Sequence, residues 1–380
     1  MLPTIVVNAY NRPLALERLL ASIQKAAIPS GARLILSIDA GGDQQVRKIA
    51  ETTSWPHGEK EVHVHKENLG LVEHLRYCGG LSQIHGDIVY LEDDLVVSRQ
   101  FYTFACRALE AYRTDGRIAG VSLNRIHSNG YTQMPFEPAL DASDAFFAQI
   151  YWYQGQAYTP QMWAGFERWW TKRRPITPAD GLHPLFLPHP RWHNDFFPDA
   201  MHYLAETGRT FVFPRESHTT NFGDAGTHFP SATRAFQVPL QHRRVEYRLG
   251  TLEDALAVYD SFFEILPEKL APAIPHAEFD VDLNGSKPPS ALRTDLVLTT
   301  RPVRRAQKSF ALALRPPEMN VLESVPGTGI SLARRDDVLR GAHADRIAGM
   351  RLRRFHRRGM VSLRQALLDR LALWLDRSRP

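Results

Sequence analysis

Cysteine is nearly absent from this chain of 380 residues, with only Cys78 and Cys106, far apart and outside any Cys-x-x-Cys pair. That scarcity speaks against a disulfide framework or a cysteine-ligated structural zinc and fits a reducing compartment. No apolar run reaches the roughly eighteen residues that a membrane-spanning helix needs. Met1 to Tyr10 carries neither a basic leader nor a long apolar stretch, so an export signal is not expected. Neither a GxGxxG fingerprint nor a Walker loop occurs, which leaves dinucleotide redox chemistry and nucleoside-triphosphate hydrolysis little support. Charge of one sign is also scarce in the body: 46 Lys and Arg face 41 Asp and Glu, for a formal charge of +5. Residues 351–380 alone hold nine Arg and two Asp, so the rest of the chain is slightly acidic. Such a distribution argues against a nucleic-acid-binding body and for a local basic patch. The expected location is cytoplasmic, peripheral at the inner face of the membrane.

What is present suffices for a sizeable core, since 43% of the residues are hydrophobic. Thr4 to Val7 is a β-branched run, followed by a polar turn and by Pro13 in position to open a helix. In that helix Leu16, Leu19, Leu20 and Ile23 share one face. Arg33 to Ile38 reads as a second strand ending at Asp39, with a polar helix over Gln44 to Thr52. Val62 to His65 is a weaker strand, and a helix is expected across Val72 to Ile84. Ile88 to Leu91 is continuously apolar, as a central strand covered on both faces should be, and stops at Glu92-Asp93-Asp94. This alternation predicts an α/β fold with a mostly parallel central sheet flanked by helices, whose ligands gather at the carboxyl ends of the strands.

Farther on, Ala145 to Trp170 is dense in aromatics, which suit either a packed core or a platform for sugar rings. Pro175 to Trp192, with five prolines, reads as an extended loop. A helix from about Asp199 to Glu206, ended by Gly208, leads into a short strand over Thr210 to Phe213. Ser217 to Phe229 is expected to be a polar loop, and a helix is expected over Leu252 to Leu266, stopped by Pro267. Asp295 to Thr300 and Ser309 to Leu314 suggest strands of a small C-terminal appendage. The division expected is 1–270 for the main domain, 271–350 for an accessory region and 351–380 for a basic amphipathic helix.

Three consecutive acids at the end of an apolar strand repel one another unless a cation or donor groups compensate. Their hard oxygens favour Mg2+ or Mn2+, with phosphates and water completing the coordination. Two phosphates on such a metal would place a sugar at the same sheet edge, with the cation neutralising charge on a departing diphosphate. Arg12, in the first strand-to-helix loop, suits the nucleotide or diphosphate, and Asp39 suits a base or ribose.

Four segments carry a family resemblance: Thr4-Ile-Val-Val-Asn-Ala-Tyr-Asn-Arg-Pro13, Ser37-Ile-Asp-Ala-Gly41, Leu91-Glu-Asp-Asp-Leu95 with Phe101, and Phe213-Pro-Arg-Glu-Ser-His218 followed by Asn221-Phe-Gly223. In this order, over about residues 1–230, the chain resembles nucleotide-diphospho-sugar glycosyltransferases of the GT-A fold. The likeness is to the N-acetylglucosaminyltransferase I type and to bacterial family-2-like relatives. The resemblance implies a metal-dependent inverting glycosyltransferase, hexosyl or N-acetylhexosaminyl, acting in surface glycan or polysaccharide synthesis. It implies a UDP-sugar ahead of other donors and a carbohydrate or lipid-linked glycan acceptor. By it, Arg12, Asp39, Glu92 and Asp93 contact the nucleotide sugar, while Asp94 is the metal ligand. From their place in the chain, Asn8, Ser217 and Asn221 are further candidates to line the donor, and His218 or His228 to complete the metal's coordination. A retaining transferase, a sugar nucleotidyltransferase and a non-catalytic carbohydrate-binding protein are the alternatives.

Inversion needs a carboxylate to take the acceptor proton. In the resembling enzymes this base opens a helix about fifteen residues before a Pro, a spacing that favours Asp199 over Asp195 relative to Pro214. The lead-in Trp192-His193-Asn194 keeps Asp195 in contention. In the final segment Leu363, Leu367, Leu371 and Trp374 form a helical stripe with arginines around it, suited to an anionic membrane surface or to docking on a protein.

Overall fold

The computed structural model describes residues 2–187, 195–225, 231–243, 246–275 and 277–356. His228, the Trp192-His193-Asn194 lead-in and the stripe from Leu363 to Trp374 lie outside the described residues.

The chain opens with β1 (Thr4–Ala9), α1 (Pro13–Gln24), β2 (Leu34–Ile38), α2 (Gln44–Thr52), β3 (Lys60–Val64), α3 (Gly70–Gly80), a further helical turn α4 (Ser82–His85), and β4 (Ile88–Glu92). All of β2 and nearly all of β1 and β4 are buried, which explains their continuous rather than alternating apolar sequence. Pro13 opens α1, whose Leu16, Leu19, Leu20 and Ile23 are buried together. Asp43 caps α2 by accepting from Gln45 N at 2.8 Å. The approach of α3 to the tryptophan at position 163 is close: a Cβ on Gly79 would meet Trp163 ring carbons at 2.2 to 2.4 Å, so only glycine fits.

Then come β5 (Leu95–Val97), α5 (Phe101–Tyr112), β6 (Ile118–Ser122), β7 (Ala145–Ala148), β8 (Gln156–Tyr158), α6 (Pro160–Trp170), α7 (Phe197–Thr207), β9 (Thr210–Pro214), β10 (Thr219–Asn221) and β11 (Val258–Tyr259). Gly208 ends α7 with φ of 67°, a left-handed conformation that glycine adopts without penalty. The nine-stranded sheet runs β3-β2-β1-β4-β8-β6-β9-β7-β11. The first four strands are parallel, as are β6 with β9 and β7 with β11. β8 runs antiparallel between β4 and β6, and β7 runs antiparallel to β9. The architecture is thus the mixed α/β type with a mostly parallel central sheet flanked by helices. The carboxyl ends of β1, β2 and β4 share one edge, where Asn8 sits beside Glu92 in register.

The expected helix over Leu252 to Leu266 does not form. Asp141 Oδ2 takes the amides of Leu256 (3.1 Å) and Ala257 (3.4 Å), donors that a helix would turn to its own carbonyls. Val258 and Tyr259 pair with β7, and Phe263 has a φ of 63°. Pro267 accordingly opens a short helix, α8 (Pro267–Leu270), instead of ending one. The expected polar loop after Ser217 holds β10, which pairs antiparallel with β5 just beyond the acidic triplet.

A second sheet, ordered β12-β13-β15-β14, contains β12 (Phe279–Asp282), β13 (Leu296–Thr299), β14 (Lys308–Phe310) and β15 (Ile330–Arg334). The strand expected over Ser309 to Leu314 ends at Phe310, because Asn320 Oδ1 captures the amides of Ala313 and Leu314 at 2.9 and 2.8 Å. Helices α9 (Met319–Leu322) and α10 (Ala342–His356) complete the described chain. Val281, Leu298, Phe310 and Ile330 belong to the same apolar core as β1 and β4. Among the described residues no helix is long and apolar enough to cross a membrane.

Candidate functional site

The site is built where β4 ends. The turn Glu92-Asp93-Asp94 separates β4 from β5, so the three carboxylates are fixed by a buried strand on one side and by the β5–β10 ribbon on the other. Arg12, at the N-terminus of α1, reaches across with one guanidinium nitrogen on Asp93 and another on Asp94 Oδ2 at 2.8 Å. Burial works against its charge, but Asp93, Asp94 and Glu92 outweigh that penalty and push its pKa upward. Conversely, burial raises the Asp93 carboxyl to about 6 despite Arg12, and burial with the neighbouring Asp94 carries Glu92 well above the usual carboxylate range.

Arg12 does not complete the charge balance. Asp94 Oδ1 and Glu92 Oε1 are buried without a hydrogen-bond partner, and so is Asn8 Oδ1 at the end of β1. Three buried oxygens that accept from nothing are costly, and a hard cation or ligand donors arriving at this edge would satisfy them. Among the described residues no group of three or more His, Cys, Asp or Glu could by itself hold a metal ion. The donor set therefore fits a cation that takes one or two protein oxygens and the rest from phosphate and water.

The remaining expected residues divide by position. Asp39, at the end of β2, is 5% exposed and accepts from the amides of Ala40 (2.9 Å), Leu69 (2.8 Å) and Gly70 (3.0 Å). It pins the turn that opens α3 to this edge. Asn221 lies opposite Leu95 in the ribbon, its Oδ1 accepting from Gly223 N at 2.6 Å, and the next amide, Phe222 N, donates to Asp94 O at 3.1 Å. Ser217 is buried and spent locally, accepting from Arg125 N and donating to Thr219 O. His218 is carried into the core. Its ring stacks on Phe104 at 4.6 Å, Nδ1 faces Ser98 Oγ at 3.0 Å and Nε2 faces the Tyr247 hydroxyl at 3.4 Å. Burial drops its pKa to about 3, so the ring is neutral and both nitrogens face hydroxyls rather than the acidic turn.

The two carboxylates weighed as base are placed differently. Asp195 precedes α7, its Oδ1 accepting from the Tyr153 hydroxyl and from Phe197 N at 2.9 Å. Its charge reaches Glu92, whose carboxyl it helps to raise after burial and the nearer acids. Asp199, in the first turn of α7, faces Arg173 at 3.4 Å, and Arg173 in turn lies 3.4 Å over Trp170. Burial raises the Asp199 carboxyl while Arg173 and His202 pull it down.

Structure adds groups that the sequence did not single out. Tyr153 donates to Asp195. Asn124, 1% exposed at the end of β6, donates to Thr219 O (2.8 Å) and accepts from Trp152 Nε1 (3.1 Å), which braces the ribbon. Arg18 of α1 pairs with Asp224 and lies 3.6 Å from the Phe222 ring centroid, holding the chain after β10 against α1. No local pattern marks these, since each depends on a partner 42 to 206 positions away. Within the aromatic segment, Phe146, Phe147, Tyr151, Tyr158, Trp163, Phe166 and Trp170 are buried, whereas Trp152, Tyr153 and Trp169 are partly exposed.

No family model matches the sequence. A search of curated proteins finds no match. Solved structures similar to the chain include glycosyltransferases. A mannosyltransferase from Pyrobaculum calidifontis, in complex with GDP-Man and Mn2+, is 17% identical over 56% of this chain and 54% of its own, with a TM-score of 0.35. S. aureus TarS with UDP-GlcNAc is 14% identical over 61% and 62%, with a TM-score of 0.38. GalNAc-T7 with UDP, GalNAc and Mn2+ is 13% identical over 57% and 43%, with a TM-score of 0.38. The chain thus spans between 43% and 62% of these proteins.

Proposed function

We propose that the chain is a divalent-metal-dependent, inverting glycosyltransferase that moves a sugar from a nucleotide diphosphate sugar to a carbohydrate hydroxyl. The observation that carries this reading is the set of unpartnered buried oxygens on Asn8, Glu92 and Asp94 at the carboxyl edge of β1 and β4. Asp94 would hold Mn2+ or Mg2+, with Glu92 beside it. When bound, the cation supplies neutralisation of the charge that develops on the leaving diphosphate. Arg12 holds Asp93 and Asp94 in place through its two guanidinium contacts, and Asp39 holds the α3 turn against the nucleotide side. Asp195, whose charge reaches Glu92 of the acidic turn, takes the proton from the acceptor hydroxyl. Asp199, committed to Arg173, braces α7. A carbohydrate or lipid-linked glycan is the acceptor class, with the basic C-terminal segment on an anionic membrane and a role in surface glycan synthesis as its setting.

The test is a panel of UDP- and GDP-sugars with Mn2+, scored by thermal stabilisation and by release of the nucleoside diphosphate. Wild-type protein should show both with at least one donor. Asp94→Ala should lose the metal-dependent part, and Asp195→Asn should retain donor stabilisation while turnover falls by about 10²-fold or more. A wild-type protein stabilised by no donor, or an Asp94→Ala protein that responds to Mn2+ and donor as wild type does, would overturn the proposal.

A further inference from the structure

Among the described residues, Asp195 is held by one of its two oxygens only. Oδ1 accepts both from the Tyr153 hydroxyl and from Phe197 N, and no described residue hydrogen-bonds to Oδ2. The phenol, meanwhile, is set by packing rather than by the carboxylate. The Tyr153 ring meets Tyr151 edge-on at 5.1 Å and lies at a 30° tilt to Phe197 at 5.9 Å, and Tyr151 is 2% exposed. Two donors from different segments, the loop before β8 and the first turn of α7, therefore aim one carboxylate.

We infer that Tyr153 is the positioning residue for Asp195, fixing Oδ1 so that Oδ2 is the oxygen that takes the acceptor's proton. This deepens the proposed function and rests on it. A carboxylate on a single-bonded stem rotates freely, and general-base catalysis needs the accepting oxygen within hydrogen-bond reach of the hydroxyl in line with the scissile bond. An oxygen already accepting two bonds is the poorer proton acceptor, so the division of labour follows from the contacts. Burial, and then the charge of Asp195, keep the phenol protonated, so it acts as a donor throughout.

In the step itself the acceptor O–H proton passes to Oδ2 while the acceptor oxygen bonds to the sugar's anomeric carbon. The bond from that carbon to the diphosphate oxygen breaks, and its electron pair leaves with the diphosphate. Tyr153 neither gains nor loses a proton. With water as acceptor, the same balance describes donor hydrolysis.

Tyr153→Phe removes one oxygen and preserves the ring contacts. The probe is the UDP- or GDP-sugar that wild-type protein hydrolyses fastest with Mn2+. A positioning role predicts a fall in kcat of about 10- to 100-fold, the scale of a lost hydrogen bond to a charged group. KM for the donor and the thermal midpoint should stay near wild type. In an Asp195→Asn background the same substitution should cost nothing further, because the oxygen it aims is no longer a base. Wild-type kcat in Tyr153→Phe, a change confined to KM, or losses that multiply in the double variant would each overturn the inference while leaving the proposed function standing. A wild-type protein that neither binds nor hydrolyses any donor would instead remove the function and the inference together.

Discussion

Arg12 is where the electrostatics of the acidic turn can be measured without knowing a substrate. Replacing it with Met keeps much of the aliphatic stem and removes the only cation, among the described residues, in contact with Asp93 and Asp94. Those carboxylates are 4% and 14% exposed and lie beside Glu92, so three acids would be left facing one another in a poorly solvated turn. Breaking a buried ion pair costs about 3–5 kcal/mol; since Arg12 itself is 28% exposed, about 3 kcal/mol is the magnitude expected here. The loss should be partly reversible. If the same oxygens can take a divalent cation, Mn2+ stabilises the folded Met variant by mass action and should raise its midpoint more than that of wild type, where Arg12 already neutralises them. Urea denaturation of both proteins, with and without millimolar Mn2+ and against Ca2+ as a control, reads both effects. An Arg12→Met protein as stable as wild type, or one indifferent to Mn2+, would refute the reasoning that these acids require a cation.

Two further substitutions test parts of the fold. Gly79→Ala drives a methyl group into the Trp163 ring and should cost at least about 1–3 kcal/mol, so an unchanged thermal midpoint would show that α3 and α6 are not packed as described. Glu318, buried and accepting from the Tyr259 hydroxyl at 2.6 Å, has its pKa pushed up to about 7 by that burial. Its folded-state pKa lies above the unfolded one, so ionising it costs the folded state nothing near pH 4 and most above pH 7. Glu318→Gln keeps the acceptor and removes the charge, so it should stabilise by up to about 3 kcal/mol at pH 8 and little at pH 5. Denaturation at the two pH values decides this, and equal effects at both would contradict it.

Much of the first sheet was legible because its determinants are local. The β-branched run of β1, the apolar run of β4 and Pro13 each act within a few residues, and a strand covered on both faces writes its burial directly into its composition. The acidic triplet was legible for the same reason, since charge at the end of an apolar strand needs a compensating partner wherever the chain goes. Legibility fails where a distant side chain competes for backbone amides. Leu252 to Leu266 has a helical pattern, yet Asp141, more than a hundred positions earlier, takes two of its donors. His218 follows the same logic. A histidine near the motif residues looks available for a metal, and only the arrival of Phe104, Ser98 and Tyr247 around it shows that it is not. For Asp195 and Asp199, spacing favours Asp199, whereas the distant partners Tyr153 and Arg173 that distinguish their surroundings carry no local signal in the sequence.

The shared core has a practical meaning for anyone wishing to cut the chain. Tyr259, in the outermost strand of the first sheet, donates to Glu318, which lies beyond β14, while residues of β12, β13, β14 and β15 belong to the same apolar core as the larger sheet. A fragment ending near residue 270 would strip cover from that interior and leave a tyrosine hydroxyl without its acceptor, so shortened versions should be sticky and poorly expressed. The two sheets are expected to melt as one unit, and a protease nick between them should not release a tractable half.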